Sequence, residues 1–150
     1  MALNKVFAGN ERNNRARKLA LITSPTTAPT TIQPGTQVLM SGRPAVALTA
    51  SGNGAVTQAN PVPGITSITY TNGGASLAAD EATFAFDGTY EFPVTGATTS
   101  TASDVEVFIV KATAVLTLTA DGNNTAHFGY TDYPVSYRKV AGRAPVRIGA

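Results

Sequence analysis

Cysteine and tryptophan are absent from this 150-residue chain, and histidine occurs only once, as His127. The absence of cysteine excludes disulfide bonds, thiolate metal sites and thiol nucleophiles. The absence of tryptophan, together with the presence of only five tyrosines, leaves no pattern for an aromatic sugar-binding platform. Any chemistry of this protein must therefore use hydroxyls, carboxylates, basic side chains or the single imidazole.

Charged residues and long apolar runs are also scarce. Charged residues make up 13% of the sequence, against about a quarter in an average globular protein, so hydroxyl groups must supply much of the polar surface. No apolar run approaches the roughly 18 residues of a membrane-spanning helix. The basic RARK is followed only by LALI before threonine, which is too short for a secretory signal. We expect a product of the cytoplasm that contacts no membrane.

The charges that are present are divided along the chain. Residues 1–18 carry five basic residues and one acidic residue, a net charge of +4, and residues 138–150 carry four basic residues and no acidic one. Residues 19–137 carry two basic and eight acidic residues, a net charge of −6. Such a division indicates ends that bind an acidic partner, or copies of the chain that meet head to tail.

The composition changes near residue 31. Residues 1–31 predict a basic flexible arm and a Pro/Thr-rich linker, because Pro25 and Pro29 stand among threonines and favour an extended, semi-rigid segment. Residues 32–150 predict one β-domain, which is long enough to enclose a single core. We expect the arm to have no fixed structure in the free protein, so that residues 1–25 can be removed without unfolding the β-domain.

Ten short runs of β-branched and aromatic residues, separated by Gly, Asn and Asp, predict strands. The alternation in one of them places Val105, Val107 and Ile109 on a buried face. The pattern predicts an all-β fold, an antiparallel β-sandwich or partly closed β-barrel preceded by an extended N-terminal arm. The runs are TQVLM, PAVALTA, ITSITYT, ATFAF, TYEFPV, DVEVFIV, AVLTLTA, TAHFGYT, PVSYRKV and APVRIG. Dipeptides that favour hairpin turns are Asn72-Gly73, Asp87-Gly88 and Asp121-Gly122.

Candidate sites for chemistry are few. His127 lies in a strand-like run without a nucleophile motif around it, so we interpret it as a structural residue at the core edge or the surface. The DGNN string that begins at Asp121 offers oxygen ligands for calcium, but it is explained more simply by a turn. We therefore predict no enzymatic activity, no catalytic residue, no cofactor and no metal site.

The basic ends are the one feature with a functional interpretation. Three hypotheses apply to the arm: a solvated tail, a nucleic-acid contact, or a tether that becomes ordered on an acidic protein surface. A nucleic-acid contact is the less favoured, because Phe7 is the only aromatic residue of the arm. The predicted contact residues are Lys5, Arg12, Arg15, Arg17, Lys18, Arg138, Lys139, Arg143 and Arg147.

The order of several short strings resembles that of the capsid decoration (cement) proteins of tailed bacteriophages. The strings are PGTQVLMSGRPAVALT, FDGTYEFPV, DVEVFIV, FGYTDYPV and APVRIG, and together they span roughly residues 34–149. The positions that match the family's pattern are Gly35, Val38, Gly42, Val46, Ala47, Leu48, Thr49, Gly88, Pro93, Val94, Val146, Arg147 and Ile148.

The resemblance implies a structural protein of the virion, made in the host cytoplasm and located on the capsid exterior. Proteins of this family commonly associate as homotrimers at threefold or quasi-threefold positions of an assembled head. The implied partner is the major capsid protein, whose neighbouring subunits would be bridged so that the shell is stabilised. The alternative hypothesis is a nucleic-acid-binding β-module that uses its basic termini.

Overall fold

A computed structural model describes residues 5–7, 15–52, 55–71 and 77–149. As predicted, the fold is nearly all β. Within these ranges no helix is long and apolar enough to cross a membrane. Two short 3-10 turns lie at Leu19–Leu21 and Gly122–Asn124. The strands are β1 (Lys5–Phe7), β2 (Arg15–Lys18), β3 (Ile22–Ser24), β4 (Gln37–Met40), β5 (Arg43–Ala47), β6 (Ala55–Val62), β7 (Ile65–Thr71), β8 (Glu81–Ala85), β9 (Gly88–Thr95), β10 (Glu106–Val110), β11 (Leu116–Thr117), β12 (Thr125–Thr131) and β13 (Arg143–Ile148).

Five strands of the first sheet close into a ring, called the barrel below. The strand order of this sheet is β1, β9, β11, β10, β12 and β13, and β13 pairs back onto β9. The β9–β11 pair is parallel, whereas the other pairs are antiparallel. Phe92 and Phe128 lie fully buried inside, with their rings edge to face at a centroid distance of 5.6 Å. The strand pattern left a β-sandwich or a partly closed barrel open, and the ring shows that this sheet is a barrel.

The second sheet has both of its faces buried. Its strand order is β2, β8, β5, β4 and β3, and all pairs are antiparallel. Leu39, Val46 and Ala85 belong to the apolar cluster of the barrel, whereas Val38 and Phe84 belong to a second cluster. Because successive residues of a strand point to opposite faces, a doubly buried sheet needs apolar residues at nearly every position. This explains the unbroken apolar runs of β4 and β5.

The second cluster is covered by residues that were expected to form a flexible arm and linker. Leu19 and Ile22 are almost fully buried in it. The Ser24 hydroxyl also donates a hydrogen bond to the main-chain oxygen of Lys111 at 3.0 Å. An apolar sheet face must be covered, and residues 15–31 cover this one, which corrects the expected boundary near residue 31. Residues 1–4 and 8–14 of the arm lie outside the described residues.

The two Asp-Gly dipeptides do not form the hairpin turns that were expected of them. Ser41 and Gly42 join β4 to β5 with φ angles of 50° and 78°, which suit a two-residue hairpin turn. The Asp-Gly dipeptide at 87–88 instead connects strands of different sheets, and that at 121–122 lies between β11 and β12, which do not pair with each other. The Asn-Gly dipeptide at 72–73 lies outside the described residues.

One predicted strand, PVSYRKV, is a loop. It lies within residues 132–142, which connect β12 to β13. Pro134 and Ser136 reverse the chain here: the Tyr137 N–H donates to the Pro134 oxygen at 3.0 Å, and Ser136 has a φ of 66°. A left-handed residue does not continue a strand. The alternating pattern therefore predicted the wrong local structure at this point.

Candidate interaction surface

Three of the predicted contact residues lie on the edge strand β2. Arg15 and Lys18 are exposed and Arg17 is partly buried. The ammonium group of Lys18 lies 3.9 Å from the Asp80 carboxylate, a separation at which an exposed pair adds little stability. Among the residues that the structure describes, the strand pairs with β8 alone, so its other edge offers main-chain groups together with basic side chains. We call this element the basic edge.

The other two predicted contact residues of the N-terminal segment are less informative. Lys5 belongs to β1, which pairs with β9 at the first sheet, and Arg12 lies outside the described residues. The basic edge and β1 are thus joined to different sheets.

The basic residues of the C-terminal segment mostly bind groups of their own chain. The Nε atom of Arg143 lies 2.9 Å from the Glu91 carboxylate, and Arg147 lies 3.2 Å from Asp104. Their partners come from the acidic middle of the sequence, so the divided charge is partly neutralised within one molecule. The expectation that these side chains bind a shell stays a prediction, and their internal partners weaken it.

The other two basic residues of this segment, Lys139 and Arg138, differ in their contacts with the rest of the chain. The Lys139 ammonium donates to the Thr101 main-chain oxygen at 2.6 Å and lies 4.5 Å from the Tyr133 ring centroid. Arg138 is exposed, and across the described ranges it forms no ion pair. Of the four basic residues at this end, Arg138 is therefore the most available to a partner.

The loop that carries Arg138 is held against the barrel. The Tyr133 and Tyr137 rings lie 5.7 Å apart, and the Tyr137 hydroxyl hydrogen-bonds the Glu91 carboxylate. Burial raises the pKa of Tyr137 above its usual value, and the negative charge of Glu91 raises it further. The tip of the loop is Val135, whose side chain is 98% exposed. The loop thus presents an apolar residue on a fixed support.

The raised pKa of Tyr137 predicts a loss of stability in alkaline solution. The stability that the neutral hydroxyl provides is fully present below the unfolded-state pKa of about 10, and it is lost as the pH rises through the higher folded-state pKa. Tyr137→Phe removes this titration. We expect the free energy of unfolding, measured with urea between about pH 9 and 11, to fall more steeply for the wild type than for the variant. Parallel curves would contradict the prediction.

His127 has the surface position that the sequence predicted. Its Nδ1 atom lies 2.9 Å from the Glu106 carboxylate on the neighbouring strand, and both side chains are exposed. The described residues contain no group of three or more histidine, aspartate or glutamate side chains that could hold a metal ion. The Asp121 carboxylate accepts a hydrogen bond from the Asn124 amide at 3.3 Å, as the turn interpretation requires. These contacts stabilise local structure.

The surface of the barrel also has a groove that sequence analysis missed. It has a volume of about 420 Å³ and lies where β9, β10, β11 and the start of β12 meet. Val115, which is 45% exposed, contributes apolar surface, and Asp121 contributes a carboxylate. The sequence carried no signal for it, because its lining comes from four separate segments. Comparison with protein-family models, curated proteins and solved structures found no match to the chain.

Proposed function

We propose that this protein is a structural capsid decoration (cement) protein, which binds the outside of an assembled phage head and stabilises its shell. The observation that carries the proposal is the basic edge, a strand that combines an open edge with exposed cations. The order of the short sequence strings, which resembles that of tailed-phage decoration proteins, supplies the identity of the shell. No enzymatic step is part of the proposal.

The basic edge suits an acidic protein surface. An extended segment of a partner can add to an open strand edge, where main-chain hydrogen bonds supply affinity and side chains supply specificity. Arg15 and Lys18 would pair with carboxylates of that segment, and an arginine can bind a carboxylate through two hydrogen bonds. Exposed lysine and arginine also disfavour pairing of the edge with an identical edge. The edge is thus suited to a foreign acidic strand rather than to its own copy.

The same residues give less support to the nucleic-acid alternative. Single-stranded nucleic acids bind through bases stacked on exposed aromatic rings beside a basic groove. The aromatic residue that faces Arg15 across the β2–β8 pair is Phe84, which is fully buried. It cannot stack on a base.

Stabilisation of the shell would follow from multivalent contact. A decoration protein that touches two neighbouring capsid subunits makes its second contact within one complex, so the effective concentration is high and the combined affinity exceeds that of either contact. A rigid body of two packed sheets would hold the two bridged subunits at a fixed separation. The resistance of heads to heat would rise with the number of bound copies, because the decoration protein binds the assembled head only.

The proposal is tested by co-sedimentation with undecorated heads, assembled from the major capsid protein of the same genome. We expect Arg15→Glu to weaken binding about tenfold, or about 1.4 kcal/mol. Lys111→Glu is the matched control: Lys111 is exposed, lies away from β2, and its reversal changes the net charge equally. We expect the control to bind within about twofold of wild type, since lone surface charges contribute little. Absence of any wild-type binding to heads would refute the proposed function.

A further inference from the structure

The loop between β12 and β13 has an exposed apolar tip with a fixed conformation. Residues 134–138, called the knob below, form a turn closed by the hydrogen bond from the Tyr137 N–H to the Pro134 oxygen. Val135 projects from it almost fully exposed. The turn is preorganised, because Tyr137 is fixed against Tyr133 and Ser136 is held in a left-handed conformation that it seldom adopts freely. A preorganised apolar tip loses little entropy on binding.

The groove on the barrel has the complementary properties. Its apolar lining is Val110, Val115 and Ala120, and threonines form most of the remainder. Its single charged residue is Asp121, which is exposed. Among the residues that the structure describes, no basic side chain forms an ion pair with this carboxylate. The groove therefore offers space for a small aliphatic side chain beside an unneutralised negative charge.

The knob carries the matching charge. Arg138 follows Val135 by three residues and is exposed without an acidic partner in the described part of the chain. A valine that enters the groove and an arginine at its rim would meet Val115 and Asp121 respectively. The apolar and charged residues of the knob thus each have a counterpart of suitable chemistry in the groove.

The knob does not occupy the groove of its own molecule, since Val135 is almost fully exposed and does not line the groove. Thr125, which lines the groove, begins β12, and Thr131 ends β12 just before the loop. Seven residues of strand separate the two ends by about 20 Å, at about 3.3 Å per residue. The groove therefore lies at the start of β12, and the knob follows its end. Such a pair of surfaces joins different copies head to tail, and closes into a ring if the rotation between copies allows it.

We propose that this chain self-associates by inserting Val135 of one copy into the groove of the next, with Arg138 bound to Asp121 across the interface. The occupant of the groove is thus a second copy of the chain. The contact goes beyond the proposed function, because it concerns only how copies join and not what the assembly binds.

The absence of cysteine allows a direct test by cross-linking. Val135→Cys and Val115→Cys each introduce one thiol, and an equimolar mixture is oxidised and run on a non-reducing gel. We expect a disulfide-linked dimer to form at least about tenfold faster than in a mixture of Val135→Cys with Leu21→Cys. Leu21 is a matched control for Val115, because it is equally exposed but does not line the groove. Equal rates in the two mixtures would overturn the proposal.

Charge reversal tests the polar half of the same contact. Arg138→Asp alone and Asp121→Arg alone are each expected to raise the dissociation constant of self-association about tenfold, measured by sedimentation velocity. The double variant restores opposite charges across the interface, so we expect its dissociation constant to return to within about threefold of wild type. A wild-type chain that stays monomeric at every concentration, or a double variant as weak as the singles, would overturn the proposal. Head binding by the wild type is scored separately by co-sedimentation.

Discussion

Removal of residues 1–25 is expected to unfold the protein. The deletion takes away β2 and β3, both edge strands of the second sheet, and with them the buried side chains of Leu19 and Ile22. Truncation of one buried Leu or Ile to Ala costs about 2–5 kcal/mol, and a whole domain is stable by only about 5–15 kcal/mol. Loss of two such side chains, their strands and their hydrogen bonds is enough to remove that margin.

The measurement is thermal unfolding followed by circular dichroism. Deletion of residues 1–14 is the control, because the described members of both apolar clusters all lie at Leu19 or beyond and the deletion takes from the described sheets only the pairing of β1 with β9. We expect this shorter deletion to unfold cooperatively, with a Tm close to that of the full chain. If the protein without residues 1–25 unfolded with an unchanged Tm, residues 15–25 would not be part of the core.

A chain that lacks residues 1–25 is consequently no test of shell binding. Its failure to bind heads would report an unfolded protein and not the loss of a contact. Point substitution at Arg15 is the sharper experiment, because the side chain is exposed and its replacement leaves both apolar clusters intact.

The second large effect is expected from Gly129→Ala, which should destabilise the protein by about 3 kcal/mol. A Cβ atom at Gly129 would fall on the main-chain oxygen of Arg147 and lie 3.0 Å from the Val146 side chain. Both obstacles belong to β13, the strand that closes the barrel onto β9. Since the blocking atom is main chain, relief requires that β12 and β13 separate.

Gly129 also lies beside an irregularity of β12. Val107 pairs with Gly129, but the next residue of β10 pairs with His127, so Phe128 is the extra residue of a bulge. The bulge lets Phe128 point into the barrel core. Gly142→Ala is the control: no atom lies within 4 Å of its Cβ position and its φ is 81°, so we expect a loss of about 1 kcal/mol from the left-handed backbone alone. Urea unfolding curves of equal midpoint for the two variants would contradict this account.

The sequence predicted strands correctly where runs of β-branched and aromatic residues marked them. Nine of the ten predicted runs contain a strand, and ITSITYT and TAHFGYT coincide with β7 and β12. Strands β1, β2, β3 and β6 were missed. β2 has the sequence RARK, which has no apolar alternation, and it is a strand because its main chain pairs with β8. This pairing depends on a segment that is distant in sequence, so the side chains of β2 alone do not indicate a strand.

For the candidate surfaces, too, the sequence predicted some features and missed others. The sequence located the cations of the basic edge, since charge is a property of residues. It could not indicate that Arg143 and Arg147 have carboxylate partners on other strands, because Glu91 and Asp104 are 52 and 43 residues distant. The knob was mistaken for a strand, since PVSYRKV alternates, and the groove depends on four segments that only folding brings together.

The sequence by itself determined the class of this protein: β-structure throughout, no thiol chemistry, and a charge divided between basic ends and an acidic middle. These properties follow from residue types and short-range periodicity, which the chain carries before it folds. The tertiary structure decided that the supposed linker covers the second sheet, that Arg143 and Arg147 pair with carboxylates of the same chain, and that Val135 and the groove lie beyond opposite ends of β12. Those outcomes depend on contacts between residues far apart in sequence, because burial and ion pairing are settled only when the sheets pack.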